Sequence, residues 1–151
     1  MLNEMTVDLI PDSDILSVIP LRRILNPAIP EGTLRDRLTE MVSQGYKCAG
    51  AYSRGQLVGI CGMWILTKVY VGRHLEPDNV IILEANRSSG LGRRLVAWVH
   101  DYARSKGCVA TELNCYLGNR HSSLLEIFPR HFSPLRERDD FFEDQVASGA
   151  P

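Results

Sequence analysis

The chain reads as a mixed α/β protein, a sheet flanked by helices, and three observations predict this. An apolar, largely β-branched run, Val80 to Leu83, leads through a glycine-containing turn into a long amphipathic helix that stops at Gly107. Upstream, Tyr46 to Tyr52 and Leu57 to Val71 have strand character, and the short polar loop Ser53-Arg54-Gly55-Gln56 between them makes them antiparallel neighbours. The whole order, strand, two helices, three strands, helix, strand, helix, suits neither a helical bundle nor an all-β barrel.

Each element has its local reason. Met5 to Ile10 alternates apolar and polar residues as a strand does, and Asp12-Ser13-Asp14 then offers capping side chains to a helix beginning near Ile15, which Pro20 breaks or restarts. Pro27 and Pro30 mark a turn. Thr33 to Ser43 carries Leu34, Leu38, Met41 and Val42 on one side, a second helix that Gly45 ends. After the two strands, Gly72-Arg73-His74 is expected to turn the chain, with Leu75 to Asn79 leading into the central strand. In the long helix Leu91, Leu95, Trp98, Val99, Tyr102 and Ala103 form one apolar stripe. Val109 to Leu117 is expected to be a strand and Ser122 to Phe128 a short helix.

Composition narrows the function classes. The 151 residues fit one domain, taken as residues 1–135 with a flexible tail over 136–151. With 17 Lys+Arg against 18 Asp+Glu the net charge is −1, so neither nucleic acid nor an anionic membrane is an expected partner. Cys48, Cys61, Cys108 and Cys115 form no C-x-x-C pair and lie in apolar surroundings, which suits reduced core thiols better than a disulfide frame or a zinc site. The acidic start MLNEMTVDLIPDSD has no long apolar run, and Gly59 to Leu66 falls far short of the ~20 residues a membrane span needs. A cytoplasmic protein is the expectation.

The turn Arg87-Ser88-Ser89-Gly90-Leu91-Gly92 carries the chemistry. Two glycines let a ligand approach the backbone, the first turn of the helix offers N–H groups without helical partners, and Arg87, Arg93 and Arg94 add positive charge, so the turn suits phosphate. A nucleotide P-loop would need Lys-Ser or Lys-Thr after its last glycine, where Arg93-Arg94 stands. The dinucleotide fingerprint would need a third glycine. What the turn resembles is the Arg/Gln-x-x-Gly-x-Gly/Ala pyrophosphate signature of the GNAT superfamily of N-acetyltransferases, read here as Arg87, Gly90 and Gly92 in the family's setting between a buried strand and a long helix.

That resemblance runs from about Met5 to Asn119 and implies a mostly antiparallel sheet flanked by helices, with acetyl-CoA (coenzyme A) as cofactor. Its pyrophosphate would lie on Arg87, Ser88, Ser89, Gly90, Leu91, Gly92 and Arg93, and its pantetheine arm on the main chain at Val80 and Ile82, where the family's fourth and fifth strands part. Asn119 would also border the cofactor. The acceptor is a small-molecule or protein amine. An alkyl amine has a pKa of ~10 and must lose a proton before it attacks. Glu76 and Asp78, on one face if Pro77 keeps the segment extended, are the candidate base and substrate-binding carboxylate. A backbone N–H of the fourth strand would hold the oxyanion. The family's Asn-x-x-Ala-x-x-Phe-Tyr run, whose tyrosine protonates the leaving thiolate, corresponds to Asn119 to Glu126, with Glu126 at the tyrosine position. Tyr116 lies nearby. Arg130 to Leu135 stands where the closing hairpin belongs, and its shortening leaves a sheet edge that a homodimer could cover. The alternative from another class is a non-catalytic acyl-CoA-binding or interaction module.

Overall fold

The computed structural model describes residues 4–112, and in them the sheet has five strands in the order β1-β2-β3-β4-β5. The strands are β1 (Met5–Leu9), β2 (Lys47–Ser53), β3 (Gln56–Lys68), β4 (Gly72–Ile82) and β5 (Ala110–Thr111), and the helices are α1 (Ile19–Leu25), α2 (Glu31–Ser43) and α3 (Leu91–Ser105). Neighbours from β1 to β4 are antiparallel, and β5 joins β4 in parallel. The mixed, mostly antiparallel α/β architecture expected from the sequence is therefore the one observed.

The sheet is buried on both faces. On one, Leu91, Leu95, Val99 and Ala103 of α3 pack on Ala49, Ala51, Cys61, Met63, Leu75 and Val80. On the other, Leu21 of α1 and Leu34 and Leu38 of α2 cluster with Ile10, Tyr46, Cys48, Ile60 and Ile81. Covering both faces explains why β2 and β3 read as nearly continuous apolar runs. Cys48, Cys61 and Cys108 are free and buried, and burial pushes the Cys48 thiol up to about 11. No helix among the described residues is long and apolar enough to cross a membrane.

Three expectations need correction. Asp12-Ser13-Asp14 does not cap a helix: Asp12–Val18 is a 3₁₀ segment with no side-chain cap, Asp12 pairs with Lys47 at 3.0 Å, and α1 begins at Ile19 with Pro20 in its first turn, where the missing N–H costs nothing. Gly72-Arg73-His74 is not a turn. It opens β4, because the 13-residue β3 offers a ladder along its whole length and β4 pairs with it from Gly72 onward. The loop between β2 and β3 is two residues, Arg54 and Gly55, both at positive φ (50° and 77°), so the strands reach further at the hairpin than expected, while β2 begins at Lys47 rather than Tyr46 and β3 ends at Lys68 rather than Val71. Val109 falls just outside β5. Leu113 to Leu117, Tyr116, the helix expected over Ser122 to Phe128, Glu126, Arg130 to Leu135 and the tail lie outside the described residues.

Two local features divide β4 into unlike halves. Opposite Cys61 and Gly62 the register slips, Val80 pairing with Cys61 and Asp78 with Gly62, so Asn79 is an extra residue, with φ at 48°. Asparagine tolerates this left-handed conformation better than most side chains. The bulge shifts the alternation by one: Leu75 and Val80 both face α3, although they are five residues apart. Pro77 is the second feature. The carbonyls of Arg73 and Leu75 accept from Val109 and Glu112 at 2.8 and 2.9 Å, so odd-numbered residues here turn their backbone toward β5. The next donor on that side would be the N–H of residue 77, which proline lacks. Proline thus gives β4 no backbone donor toward β5 at this position.

Candidate active site

Beyond the bulge, the edge of β4 turns backbone groups away from β3. Leu83 donates to the Val58 carbonyl at 2.9 Å, which makes Leu83 and Ile81 the residues bonded to β3, and their neighbours Ile82 and Val80 the ones directed outward. The chain then enters the turn. Arg87 donates through Nε to the Ile82 carbonyl at 3.1 Å, and Ser89 donates to the Asn86 carbonyl at 2.6 Å. Ser88 lies at φ 65° and Gly90 at φ 82°, so two left-handed residues fold the strand end back into α3. A Cβ at Gly90 would have nothing within 4 Å, so this glycine serves the backbone angle rather than close packing.

No side chain caps α3, which leaves the N–H groups of Leu91, Gly92 and Arg93 as the start of the helix dipole. Leu91 itself is 1% exposed and anchors the helix in the core, so only its main chain can meet a ligand. Arg87, Ser88, Ser89, Gly90 and Arg93 are exposed. This cradle of amides and guanidinium groups fits a pyrophosphate on the chemistry of its donors. Val80 and Ile82 turn their backbone away from β3, the Ile82 carbonyl accepting from Arg87, and Asn119 lies outside the described residues.

Before the bulge, β4 presents side chains. Glu76 and Asp78 share the face toward α1 and α2, and each meets its own cation. Lys68, near the end of β3, donates to Glu76 at 2.9 Å, and its ammonium is 3.5 Å from Glu112. Asp78 lies 3.7 Å from the guanidinium of Arg22, a buried residue of α1 that also donates to the hydroxyl of Tyr46. Tyr46 is buried against Trp64, ring centroids 5.2 Å apart, and desolvation drives its hydroxyl pKa well above the ordinary value. Gly62 makes room for this arrangement: a Cβ there would lie 2.7 Å from the Asp78 carbonyl oxygen and would run into the Tyr46 hydroxyl.

Across the sheet Trp64 pairs with Glu76, and the step after Leu75↔Thr111 puts Glu112 on Glu76's other side. His74, two residues before Glu76, completes the group, its Nε2 3.8 Å from Glu76 Oε1. Tyr70 donates to Glu112 at 2.6 Å. The pair Glu76 and Asp78 was legible in the sequence. Arg22, Lys68, Tyr70, His74 and Glu112 were not, because their meeting depends on strand register; only His74-x-Glu76, two strand residues on one face, left a local trace.

Residues 19–125 match the model of the acetyltransferase (GNAT) family, and the chain belongs to that family. A search of curated proteins gave no match. Among solved structures it is similar to the aminoglycoside N-acetyltransferase AAC(6')-Iy in complex with CoA, at 18% identity over 83% of this chain and 86% of that one, with a TM-score of 0.70. AAC(6')-Ih from Acinetobacter baumannii is similar at 20% identity, over 85% of this chain and 92% of that one, TM-score 0.69. A ribosomal-protein-alanine N-acetyltransferase from Brucella melitensis biovar Abortus 2308 is similar at 19% identity, over 74% and 79%, TM-score 0.63. At these identities the likeness speaks to the fold. The family match bears out the resemblance to the GNAT superfamily.

Proposed function

We propose that this acetyltransferase moves an acetyl group directly from acetyl-CoA to a primary amine, with the coenzyme on the edge of β4 and the turn into α3, and the amine on the acidic side of the same strand. One observation supports the reading: a single strand turns backbone at Val80 and Ile82 away from β3, runs into a helix start with no side-chain cap, and carries Glu76 and Asp78 on one face before the bulge.

The residues have distinct roles in this reading. Arg87, Arg93 and the amides from Ser88 to Gly92 hold the pyrophosphate, and Asn119 borders the cofactor. The main chain at Val80 and Ile82 orients the pantetheine arm, and an N–H of β4 near the bulge faces the carbonyl oxygen as charge develops on it. The coenzyme supplies an activated thioester. Glu76 accepts the proton of the acceptor ammonium, which replaces the like-charged Lys68 ammonium on that carboxylate. Asp78, held by Arg22, adds negative charge that favours a cationic acceptor. Small amines, aminoglycoside-like compounds and protein amino groups all meet these terms.

A cytoplasmic location, a homodimer, and a domain over residues 1–135 with a tail over 136–151 belong to the same proposal, supported by sequence alone. The experiment is a screen of amines with acetyl-CoA, following thiol release, with Glu76→Gln beside the native chain. Turnover that depends on Glu76 supports the reading. Coenzyme binding without transfer to any amine class favours the non-catalytic acyl-CoA module, for which Glu126 in place of the family's tyrosine already argues.

A further inference from the structure

His74, Glu76 and Glu112 converge in a way that acyl transfer does not explain. Two residues of one strand face and one that directly follows its parallel neighbour offer a ligand atom each, all within 4.8 Å of one another. His74 is fully buried and Glu112 is 2% exposed. The Nδ1 of His74 lies 2.9 Å from the Gly72 carbonyl, which can only accept, so Nδ1 carries a proton, and in that tautomer the lone pair of Nε2 lies toward the carboxylates.

That Nε2 is buried without a hydrogen-bond partner, and so is Oε2 of Glu112. The cation at this spot, Lys68, meets Glu76 Oε1 at 2.9 Å and Glu112 Oε1 at 3.5 Å, leaving the other two atoms unserved. Buried acceptors facing one another are costly unless something positive stands between them. A backbone carbonyl that accepts from the far nitrogen of a histidine, and a hydroxyl that donates to the other oxygen of a carboxylate, are also how metal ligands are held in orientation. Gly72 and Tyr70 supply these two contacts.

We propose that His74, Glu76 and Glu112 form a site for one divalent cation of the zinc type, in competition with the ammonium of Lys68. One imidazole nitrogen and two carboxylates suit Zn²⁺, with a fourth position left to water. Ligand atoms around zinc lie ~3.3 Å apart for bonds of ~2.0 Å, so metal binding draws the group in from its present spacing. The ammonium and the metal exclude each other by charge. Lys68, about a third exposed at 35%, can swing into solvent. Mg²⁺, which prefers oxygen and keeps its waters, gains little from the imidazole. The site does not depend on the acyl-transfer reading, since binding is measured without coenzyme or amine.

The test is calorimetric titration of the full chain, free of any affinity tag, with Zn²⁺ and separately with Mg²⁺, each variant first shown folded by circular dichroism. Native protein should bind one Zn²⁺, and Mg²⁺ at least tenfold more weakly. Lys68→Met removes the competitor and should tighten Zn²⁺ at least tenfold. Adding Glu112→Gln or His74→Asn to Lys68→Met should weaken it at least tenfold, and if the histidine variant does not fold, Glu112→Gln alone decides. No saturable Zn²⁺ binding by folded native and Lys68→Met chains overturns the proposal. So does binding that Glu112→Gln leaves untouched, since the metal would then sit on other residues.

Discussion

The two halves of β4 share a strand and differ in what they expose. Before the bulge at Asn79, the strand offers side chains: His74, Glu76 and Asp78 point to one face and are met by Lys68, Arg22 and Glu112. After it, Val80 to Ile82 bury apolar side chains in both cores and turn backbone to the edge. Recognition by backbone tolerates any side chain that packs, whereas recognition by carboxylate tolerates none but the carboxylate. The first half should therefore fix the acceptor and the rate, and the second half the coenzyme.

The largest effect expected is in the first half. Glu76→Gln keeps the shape and removes the base, so kcat should fall by ~10²–10⁴ while acetyl-CoA affinity changes less than about twofold. Steady-state thiol release and calorimetry would separate the two. A rate loss accompanied by an equal loss of coenzyme affinity would break the division between the halves.

Gly62→Ala should come next, on stability. Its Cβ would press on backbone of β4 and on the Tyr46 ring, where little can give, and overpacking of this kind costs about 1–3 kcal/mol. Gly59→Ala makes a useful contrast, because its nearest neighbour is the Ile82 Cγ1 at 3.3 Å, and it should cost less in a thermal melt. At Gly90 space is open and only the angle objects. Gly90→Ala should lose about 1–2 kcal/mol of stability from left-handed strain and weaken acetyl-CoA by about tenfold as the turn relaxes. Its kcat at saturating coenzyme should stay near the native value.

The last effect concerns neither half directly. His100, on α3, has its pKa lowered to about 3 by desolvation and by Arg104. The unfolded chain therefore takes up this proton first, near pH 6.5. Stability from the neutral ring is fully present above about pH 6.5 and is lost as pH falls through about 3. Denaturant midpoints measured down that range should show up to one proton less of slope in His100→Gln than in the native chain.

How much of the molecule the sequence foretold depends on the range of each signal. Val80 to Lys106 was legible because strand, turn and helix are local patterns, each with its own period and stop. The start of β4 was misread because Gly72-Arg73-His74 follows the long apolar run with a turn glycine; partnership with β3 overrides it, and Asn79 becomes a bulge within the strand. The hairpin ends of β2 and β3, Ser53 and Gln56, were missed for the same reason. In the site, Arg87, Gly90 and Gly92 sit within six residues, whereas Lys68, Glu76 and Glu112 meet only through two registers, which no spacing along the chain reveals.

Everything assigned to the second half of β4 depends on where the coenzyme sits, so the decisive measurement is calorimetric titration with acetyl-CoA of the native chain and of a variant with Gly90 and Gly92 both replaced by valine. One equivalent bound by the native chain, and none by a variant shown to be folded, is the predicted result. Equal binding by both, or binding by neither, would contradict a coenzyme seated on the turn between β4 and α3.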